Sequence, residues 1–492
     1  MIFNLAITLL FGSLSTFAIP QTVSRSDGSQ IQYELRTPAS DQAEHWPLLV
    51  VLQGSGCEPV NSTGFASYLS IFHSLGFGVL TVEKPGIYGS NLASGCSQEY
   101  LIRNTISQRI EDLQTVIARV REEHIFQEHW NGSLMWLGAS EGGTVASMIA
   151  PLFSETTATA LLASGGGVPM AEELKILTAK SMRNQGKTET EVSQALAQMD
   201  SQFEEIRANP VSDQTWLGST NTYKWWASIL DLDIKSSLEK LTSSVYIAQA
   251  TADQSVPVES VDILLEGKSL SPFGPWTYAR YEGLDHRFQD ANGNSQRDTV
   301  LSNVLLWFMV REDQRLRFRS NDIYRSNPND PRLPDLIRKI SERDRLNLAF
   351  LKMLCTNHQY PLISSHGFAA NRHAWILIQH ADSDPLFQRE VLSFLEAAYT
   401  QNQDTFGPDL AYLKDRVAVN EALQAEQEPV QYFGTQGRRA SSGCWEPWTI
   451  QDREHVDERR RAYGMGSLAE YTRTMNEVIG GSECNRALEG KK

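Results

Sequence analysis

A serine, an aspartate and a histidine stand in loops after separate predicted strands, and together they could perform nucleophilic catalysis. Ser140 lies in the sequence GASEGG at 138–143, Asp253 follows the run Val245–Ala248, and His286 follows the run Trp276–Tyr281. A serine hydroxyl needs a base to take its proton, and the base needs an acid to orient it. We therefore expect Ser140 to be a nucleophile, His286 its base and Asp253 the supporting acid.

The sequence around Ser140 is typical of a sharp turn from a strand into a helix. The apolar run Leu134–Gly138 predicts a buried strand, and Thr144–Ile149 predicts the helix that leaves the turn. Glycine neighbours allow the close approach of strand and helix that such a strained serine requires. The turn would expose the hydroxyl above the sheet, at a helix N-terminus that favours developing negative charge.

Each of the three residues also has a structural interpretation. Ser140 could be a turn serine, His286 a packing residue of its loop, and Asp253 the cap of a helix that begins near Val258. Asp285 is a competing acid, but a directly adjacent carboxylate reaches its neighbour's ring poorly. The chain order of serine, acid and histidine, each after a predicted strand, favours the catalytic interpretation.

Two backbone N–H groups could hold the negative charge that forms on a carbonyl oxygen when Ser140 attacks. One is the N–H of Glu141, the residue after the nucleophile, and the other should come from the loop after the first buried strand. That loop reads QGSGC at 53–57, and its glycines let the backbone turn its N–H groups toward the site. We expect Ser55 to be the second donor; the alternative is an ordinary glycine-rich turn.

Apolar runs alternate with helical patterns through the first three hundred residues. The predicted strands are Leu48–Leu52, Phe77–Val82, Leu134–Gly138, Ala160–Ala163, Val245–Ala248 and Trp276–Tyr281. Apolar residues recur at helical spacing over Ile106–Val120, between the second and third of these strands. This order predicts an α/β fold with a mostly parallel sheet flanked by helices.

The pattern changes between about residues 170 and 240, where a polar helical stretch precedes a group of aromatic residues. This insertion predicts a helical cap over one edge of the sheet. Its aromatic residues are Trp216, Tyr223, Trp225 and Trp226. They could line a substrate pocket, but packing of the cap is the favoured interpretation, because aromatic side chains dominate packing energies generally.

The chain length of 492 residues predicts more than one domain. We expect residues 19–318 to form the first domain and 335–492 a separate, mainly α-helical domain in which strand signals are absent. The segment 319–334 between them belongs to a charged stretch rich in proline and asparagine, which predicts a linker.

Net charge and the N-terminal residues restrict the partners and the compartment. A chain with a net charge of -15 lacks the basic face that non-specific nucleic-acid binding needs. The apolar run Ile2–Phe11, followed by Thr16-Phe17-Ala18 with small residues at the offsets that cleavage requires, predicts a cleaved signal peptide over 1–18, although no Lys or Arg precedes the run. We expect an exported protein, periplasmic or secreted, with no stable membrane span after signal removal; an uncleaved anchor is the alternative.

The five cysteines can form disulfides if the protein is exported into an oxidising compartment. Cys57 and Cys96 each follow a glycine in a loop after a predicted strand, and adjacent parallel strands would bring them together, so this pair is the favoured disulfide. Cys444 with Cys484 is a second candidate, which leaves one cysteine unpaired. Other pairings, or five reduced cysteines, stay open.

Residues from about 30 to 310 resemble the α/β-hydrolase superfamily, nearest to its dienelactone-hydrolase and prolyl-oligopeptidase-like branches. The matching segments are QGSG at 53–56, GASEGG at 138–143, TADQSVP at 251–257 and GLDH at 283–286. The resemblance implies nucleophilic acyl transfer to water without a cofactor or metal ion. Gln53 departs from the pattern, because relatives often carry histidine before the glycine, and this leaves the substrate class open.

The C-terminal third is similar to an uncharacterised bacterial helical domain with no assigned activity. The matching elements lie at 374–382, 411–417 and 431–436. Within this third His380, Asp382 and Asp415 could form a polar or metal site, but they are too few and too loosely spaced to predict one. A buried hydrogen-bonded network between packed helices is the favoured interpretation.

Together these observations predict a serine hydrolase that cleaves a small-molecule carboxylic ester, or a short peptide or amide, through an acyl-enzyme on Ser140. A serine peptidase of the prolyl-oligopeptidase-like type is one alternative. A non-catalytic binding or scaffold protein that acts through its helical domain is another. Transfer of the acyl group to an acceptor other than water is a third.

Overall fold

The computed structural model of the protein describes residues 20–38, 43–62, 66–88, 95–216, 221–355, 360–480 and 484. The predicted signal peptide at 1–18 lies outside the described residues. The chain divides into two compact units, the first ending at Phe318 and the second beginning at Arg319.

The first unit contains an eight-stranded, mostly parallel sheet. Its strands are β1 Gln21–Ser24, β2 Gln30–Arg36, β3 Trp46–Leu52, β4 Gly78–Val82, β5 Trp130–Ala139, β6 Thr156–Leu162, β7 Ser244–Ala250 and β8 Trp276–Tyr281. The spatial order is β1-β2-β4-β3-β5-β6-β7-β8, and only the pairs that involve β1 or β2 are antiparallel. The apolar runs predict the six parallel strands, whereas the more polar β1 and β2 give no such signal.

The parallel strands β3 to β7 are deeply buried, as their largely apolar sequence requires, whereas most residues of β8, at the edge of the sheet, are only partly buried. Every residue of β3 and of β4 is buried. Trp136 in the middle of β5 has no exposed surface, and its indole N–H donates to Thr156 Oγ1 at 3.0 Å. Burial of each large apolar side chain of this kind contributes about 1.5–3 kcal/mol to the free energy of folding. This core therefore fixes the register of the strands whose ends carry the functional loops.

Helices flank the sheet, and the predicted cap is present as the helices between β6 and β7. The helices are α1 Ala66–Ser74, α2 Gln98–Arg103, α3 Ile106–Arg121, α4 His124–His129, α5 Glu141–Ile149, α6 Met170–Asn184, α7 Glu189–Ala208, α8 Tyr223–Ala227, α9 Ile234–Leu238, α10 Val258–Leu265 and α11 Arg297–Ser326. The cap consists of α6 to α9. No helix in the described ranges is both long enough and apolar enough to cross a membrane.

The aromatic residues of the cap pack against one another and against its helices. Trp216, Tyr223 and Trp225 are at most 7% exposed. The ring of Trp216 meets those of Phe203 and Trp226 edge-on, with centroids 5.4 and 4.8 Å apart. This arrangement agrees with the packing interpretation of these side chains.

The second unit is mainly helical, as the sequence predicts. Its helices are α12 Leu333–Cys355, α13 Ile363–Gln379, α14 Pro385–Asn402, α15 Gly407–Gln424, α16 Val456–Ala462 and α17 Leu468–Met475. Although the sequence shows no strand signals here, the unit also contains the short strands β9 Val430–Gln431, β10 Gly437–Arg439, β11 Trp445–Pro447 and β12 Thr449–Ile450. Strands of two or three residues are too short to show the alternation by which strands are recognised.

The segment 319–334, predicted as a linker, is mostly helical. Helix α11 runs without a break to Ser326, and α12 begins at Leu333. The charged residues of this stretch form pairs at helical spacing, such as Asp322 with Arg325. A charged composition is compatible with an exposed helix as well as with a linker, and the proline and asparagine residues interrupt the helix only between Ser326 and Leu333.

Two of the polar residues that the sequence singles out in the second unit, Asp415 and Asp382, accept hydrogen bonds from different groups. Asp415 is fully buried, and its carboxylate accepts hydrogen bonds from three backbone N–H groups of the segment 432–435 at 2.7, 3.0 and 2.9 Å. Asp382 accepts a hydrogen bond from Arg416 Nε at 2.9 Å. His380 lies at the C-terminal end of α13. The contacts of the two aspartates agree with a packing role.

Two disulfides join Cys57 to Cys96 and Cys444 to Cys484, as the sequence predicts. The first ties the loop after β3 to the segment before α2. Cys355 is the remaining cysteine, and burial raises the pKa of its thiol to about 12.

Removing the bridge between Cys57 and Cys96 should destabilise the first unit. The double variant Cys57→Ser/Cys96→Ser opens a loop of 39 positions, and the gain in unfolded-chain entropy lowers the free energy of unfolding by up to about 4 kcal/mol. Guanidinium unfolding followed by tryptophan fluorescence measures the change. Cys444→Ser/Cys484→Ser is the control and should leave the unfolding midpoint of the first unit unchanged. An unchanged midpoint of the first unit in the Cys57/Cys96 variant would contradict the prediction.

Candidate active site

Ser140, Asp253 and His286 lie in the loops after β5, β7 and β8, at the same edge of the sheet. His286 Nε2 lies 3.1 Å from Ser140 Oγ, and His286 Nδ1 lies 2.8 Å from Asp253 Oδ2. Both are hydrogen-bond distances. The structure therefore brings together the three side chains that the sequence pairs, with the imidazole between the hydroxyl and the carboxylate.

Ser140 occupies a strained turn between β5 and α5. Its backbone has φ 52° and ψ −126°, a conformation that L residues rarely adopt. Its N–H donates to the carbonyl oxygen of Leu162 at 2.8 Å. A Cβ on Gly142 would lie 2.1 Å from the carbonyl oxygen of Leu52, and a Cβ on Gly138 would lie 2.1 Å from that of Gly142. Only glycine therefore lets α5 pass this close to β3 and β5.

The carboxylate of Asp253 is fully buried and held in one orientation. Its Oδ1 accepts hydrogen bonds from the backbone N–H groups of Ser255 and Val256, at 2.7 and 2.9 Å. Its Oδ2 faces His286. Helix α10 begins after Pro257 without a side-chain cap, so Asp253 does not cap that helix. A fixed, desolvated carboxylate beside Nδ1 is able to select one tautomer of the imidazole.

Asp285, the competing acid, makes its hydrogen bonds within its own loop. Its Oδ1 accepts the backbone N–H groups of Arg287 and Gln289, each at 2.8 Å. The carboxylate that contacts the His286 ring is that of Asp253. The acid that lies beside the imidazole is therefore Asp253, although Asp285 is the sequence neighbour of His286.

The loop after β3 packs directly against the nucleophile. A Cβ on Gly54 would lie 3.2 Å from the Cβ of Ser140 and 3.2 Å from the carbonyl oxygen of Ala139. Ser55, the next residue, is exposed, and Glu141 is the first residue of α5. The hydroxyl of Ser140 does not cap that helix. The two N–H groups predicted to bind an oxyanion therefore belong to the two backbone segments that flank Ser140.

A buried lysine binds the backbone of this loop. Lys84 is 3% exposed, and its Nζ donates hydrogen bonds to the carbonyl oxygens of Gly54 and Gly56, the second at 2.6 Å. Burial lowers the pKa of Lys84 to about 8. No sequence pattern marks Lys84 as functional; its place two residues after β4, in the sequence Lys84-Pro85-Gly86, is the one local signal.

A buried ion pair joins the same loop to the turn at Ser140. Arg109 Nη2 donates to the carbonyl oxygen of Gln53 at 3.1 Å, and its Nη1 donates to Glu141 Oε1 at 2.5 Å. The other carboxylate oxygen of Glu141 accepts the indole N–H of Trp225, in the cap, at 3.2 Å. Arg109 falls on the apolar stripe of α3, and a charge at such a position is the sequence signal that could have revealed this network.

A small cavity of about 160 Å³ opens at Ser140 and His286. Its apolar walls are formed by Leu162, Phe288, Val300 and Leu301. Arg287 and Arg297 also line it, and within the described ranges neither guanidinium makes a salt bridge. The aromatic residues of the cap do not contribute to the described walls. The lining of the cavity thus combines apolar residues with two arginines.

The strand order, the strained turn at Ser140 and the three loops that meet at one sheet edge agree with the α/β-hydrolase fold that the sequence resemblance implies. Residues 301–482 match a second family, described as a family of unknown function, DUF6624. A comparison with curated protein sequences finds no match.

Solved structures similar to this chain include three that cover slightly more than half of it. Est1E from Butyrivibrio proteoclasticus is 13% identical, with a TM-score of 0.35, over 54% of this chain and 90% of its own. The α/β hydrolase GrgF from Penicillium sp. sh18 is 17% identical, with a TM-score of 0.39, over 59% and 96%. The acylaminoacyl peptidase of Pyrococcus horikoshii is 14% identical, with a TM-score of 0.40, over 61% of this chain and 42% of its own.

Adding a methyl group at Gly142 should disrupt the turn that carries Ser140. Gly142→Ala places a Cβ within 2.1 Å of the Leu52 carbonyl oxygen, so helix or strand must shift, and overpacking of this kind costs about 1–3 kcal/mol. Thermal unfolding measures the loss. Gly274→Ala, whose new Cβ meets only Ser271 at 3.0 Å, is the matched control; equal melting temperatures for the two variants would refute the steric argument.

Proposed function

We propose that the protein is a serine hydrolase that cleaves a small carboxylic ester through an acyl-enzyme on Ser140. The observation that carries the proposal is the continuous contact from Ser140 Oγ through His286 to Asp253, at 3.1 and 2.8 Å. The cavity that opens at this hydroxyl and the strained turn beneath it support the same conclusion.

In the first half of the reaction, Ser140 Oγ forms a bond to the ester carbonyl carbon while its proton moves to His286 Nε2. The carbonyl oxygen becomes an oxyanion, which the N–H groups of Ser55 and Glu141 stabilise. The intermediate collapses when the bond to the alcohol oxygen breaks. His286 gives its proton to that oxygen, the alcohol leaves, and the acyl group stays on Ser140.

In the second half, water takes the place of the alcohol. His286 Nε2 accepts a proton from the water as its oxygen bonds to the acyl carbon, and the same two N–H groups hold the second oxyanion. Breaking the bond to Ser140 Oγ releases the carboxylic acid and returns the proton to the serine. Asp253 accepts the Nδ1–H of His286 throughout, which keeps Nε2 available as the base.

The size of the cavity favours an ester with a short acyl group over a peptide. Pockets for drug-sized ligands measure roughly 300–1,000 Å³, whereas this cavity measures about 160 Å³. Leu162 and Phe288 offer an apolar surface to such a group. A peptidase would have to accommodate residues on both sides of the scissile bond.

The two arginines of the cavity favour a substrate that carries a negative charge. A guanidinium binds a carboxylate through charge-assisted, often bidentate hydrogen bonds. Arg287 and Arg297 make no salt bridge to the described residues and line the cavity that contains Ser140. An ester with a carboxylate on its acyl or alcohol part would pair with them.

We also propose that the protein acts outside the cytoplasm. Two disulfides are the supporting observation, because such bridges persist in oxidising compartments and are rare in the cytosol. The predicted signal peptide points to the same location. Cell fractionation followed by mass spectrometry of the mature N-terminus tests this part of the proposal.

A fluorophosphonate probe should label the folded protein at Ser140, and Ser140→Ala should abolish both labelling and hydrolysis of p-nitrophenyl esters. Asp253→Asn should lower kcat by about 10⁴-fold, because the imidazole then loses its fixed tautomer. Asp285→Asn is the matched control and should leave kcat within about threefold, since its carboxylate bonds only to its own loop. If the folded wild-type protein is not labelled at Ser140, the hydrolase proposal is wrong and the alternative of a binding protein is favoured.

Replacing Arg297 should weaken the binding of charged substrates selectively. Arg297→Ala should raise KM for an ester that carries a carboxylate by about tenfold or more, because a hydrogen bond to a charged group is lost, while KM for a neutral ester of equal size changes little. Arg280→Ala, which breaks the exposed ion pairs of Arg280 with Glu282 and Asp262, is the control. Equal effects on the two esters would argue against an anionic substrate.

A further inference from the structure

We infer that Lys84 is a positioning residue for the oxyanion hole: it turns the Ser55 N–H toward the reacting carbonyl by holding the other end of the same peptide unit. The inference rests on the proposed function and deepens it. Lys84 does not line the described cavity. It acts on the reaction only through the backbone of the loop after β3.

The geometry of the peptide bond carries the argument. The carbonyl of Gly54 and the N–H of Ser55 belong to one planar unit, and in a trans peptide these two groups point in opposite directions. The described backbone contains no cis peptide. Because the Nζ of Lys84 binds the Gly54 carbonyl oxygen from the buried side, the Ser55 N–H must point away from the lysine, on the side where Gly54 packs against Ser140.

The loop needs such a restraint because its own sequence does not supply one. Glycine tolerates both signs of φ, so a peptide between glycines can rotate at little cost. Gly56 has φ 107°, a region that other residues avoid. The Nζ of Lys84 binds the carbonyls of Gly54 and Gly56, and so holds the peptide unit between Gly54 and Ser55 and the unit between Gly56 and Cys57. Rotation of either unit would break a hydrogen bond to a buried ammonium.

Neighbouring residues hold both ends of the restrained segment. The Gln53 carbonyl accepts a hydrogen bond from Arg109 at 3.1 Å, and Cys57 is bridged to Cys96. The carbonyls of residues 53, 54 and 56 therefore all face buried cations. Because these carbonyls point toward the buried cations, the Ser55 N–H lies on the opposite side of the loop, where it can bind the oxyanion.

A buried ammonium is costly, which favours a role beyond filling space. Removing a lysine charge from water costs several kcal/mol, and apolar side chains often replace buried charges without loss of stability. The charged groups that face Lys84 are Glu58, Glu83, Arg109 and Glu141, and the ring of Tyr100 lies 6.0 Å from its Nζ. An apolar residue of similar length could fill the same space, but it could not donate the two hydrogen bonds that Lys84 makes to backbone carbonyls.

Titration of Lys84 gives the restraint a pH dependence. Burial lowers the pKa of Lys84 to about 8 and raises that of Glu83, beside it, to about 7. The ammonium is therefore charged below about pH 8 and becomes a neutral, weaker donor as the pH rises through that value. We expect the oxyanion hole to lose orientation over the same range.

The test compares Lys84→Met and Lys84→Gln with the wild-type protein on a neutral p-nitrophenyl ester. Loss of one oxyanion donor lowers kcat by about 10²–10³-fold, so kcat should fall by about 100-fold while KM stays within about threefold. The affinity for an aryl trifluoromethyl ketone, whose adduct with Ser140 places an oxyanion in the hole, should fall in parallel. The affinity for the product carboxylate should not.

Arg311→Met is the matched control. Arg311 also donates to backbone carbonyls of a loop, those of Pro272, Phe273 and Gly274 at 3.0–3.1 Å, but that loop precedes β8 and lies at the other edge of the sheet. Removing this cation should leave kcat and the affinity for the ketone within about threefold. Thermal unfolding of both sets of variants separates a loss of stability from a loss of orientation.

If folded Lys84→Met has the same kcat and the same affinity for the ketone as the wild-type protein, the inference is wrong. Fluorophosphonate labelling of Ser140 would in that case still support the proposed function. Absence of labelling in the wild-type protein would defeat the proposed function itself. If both Lys84 variants fail to fold, the pH profile of the wild-type protein decides: kcat should fall several-fold between about pH 7.5 and 9.5, and a flat profile over this range overturns the inference.

Discussion

The register of the parallel strands is the constraint on which the rest of the site depends. The paired positions near the ends of the strands are Leu52 with Gly138, Ala139 with Leu162, and Ala250 with Tyr281. Loops that leave β3, β5, β7 and β8 must therefore emerge side by side, although Ser140 and His286 are 146 positions apart in the chain. A slip of one residue would turn each buried strand over, and the core prevents it.

The parts of the fold that the sequence predicts are those with a strong local signal. Strands β3 to β7 each contain a largely apolar run, whereas β8 mixes apolar residues with Thr277 and Arg280; each of the three site residues lies at most five positions after the end of its strand. The strands of the second unit have two or three residues and show no readable period. The charged stretch 319–334 shows the same limit, because its composition is compatible with a helix and with a linker alike.

The residues that escaped prediction make contacts that no local pattern specifies. Arg109 reaches a carbonyl 56 positions away, and Lys84 reaches one 30 positions away. Which side chain passes behind the loop after β3 depends on how α3 and the end of β4 pack in three dimensions. A charge on the apolar stripe of α3 marks Arg109 as unusual, but its partner becomes clear only in the folded chain.

Glu141 links the chemistry of the site to the architecture around it. Its backbone N–H is a predicted oxyanion donor, whereas its side chain is bound by Arg109 and by Trp225 of the cap. A buried carboxylate that loses one partner costs several kcal/mol. The residue after the nucleophile is therefore under two separate constraints, one from the reaction and one from the attachment of the cap.

The fifth cysteine bears on how long the two bridges last. Disulfides reshuffle only when a thiolate attacks them, and a thiol with a pKa of about 12 is ionised in about one molecule in 10⁵ at neutral pH. Cys355 is therefore a poor attacking group within its own chain. The native pairing of the other four cysteines can persist for the lifetime of the molecule without scrambling from within.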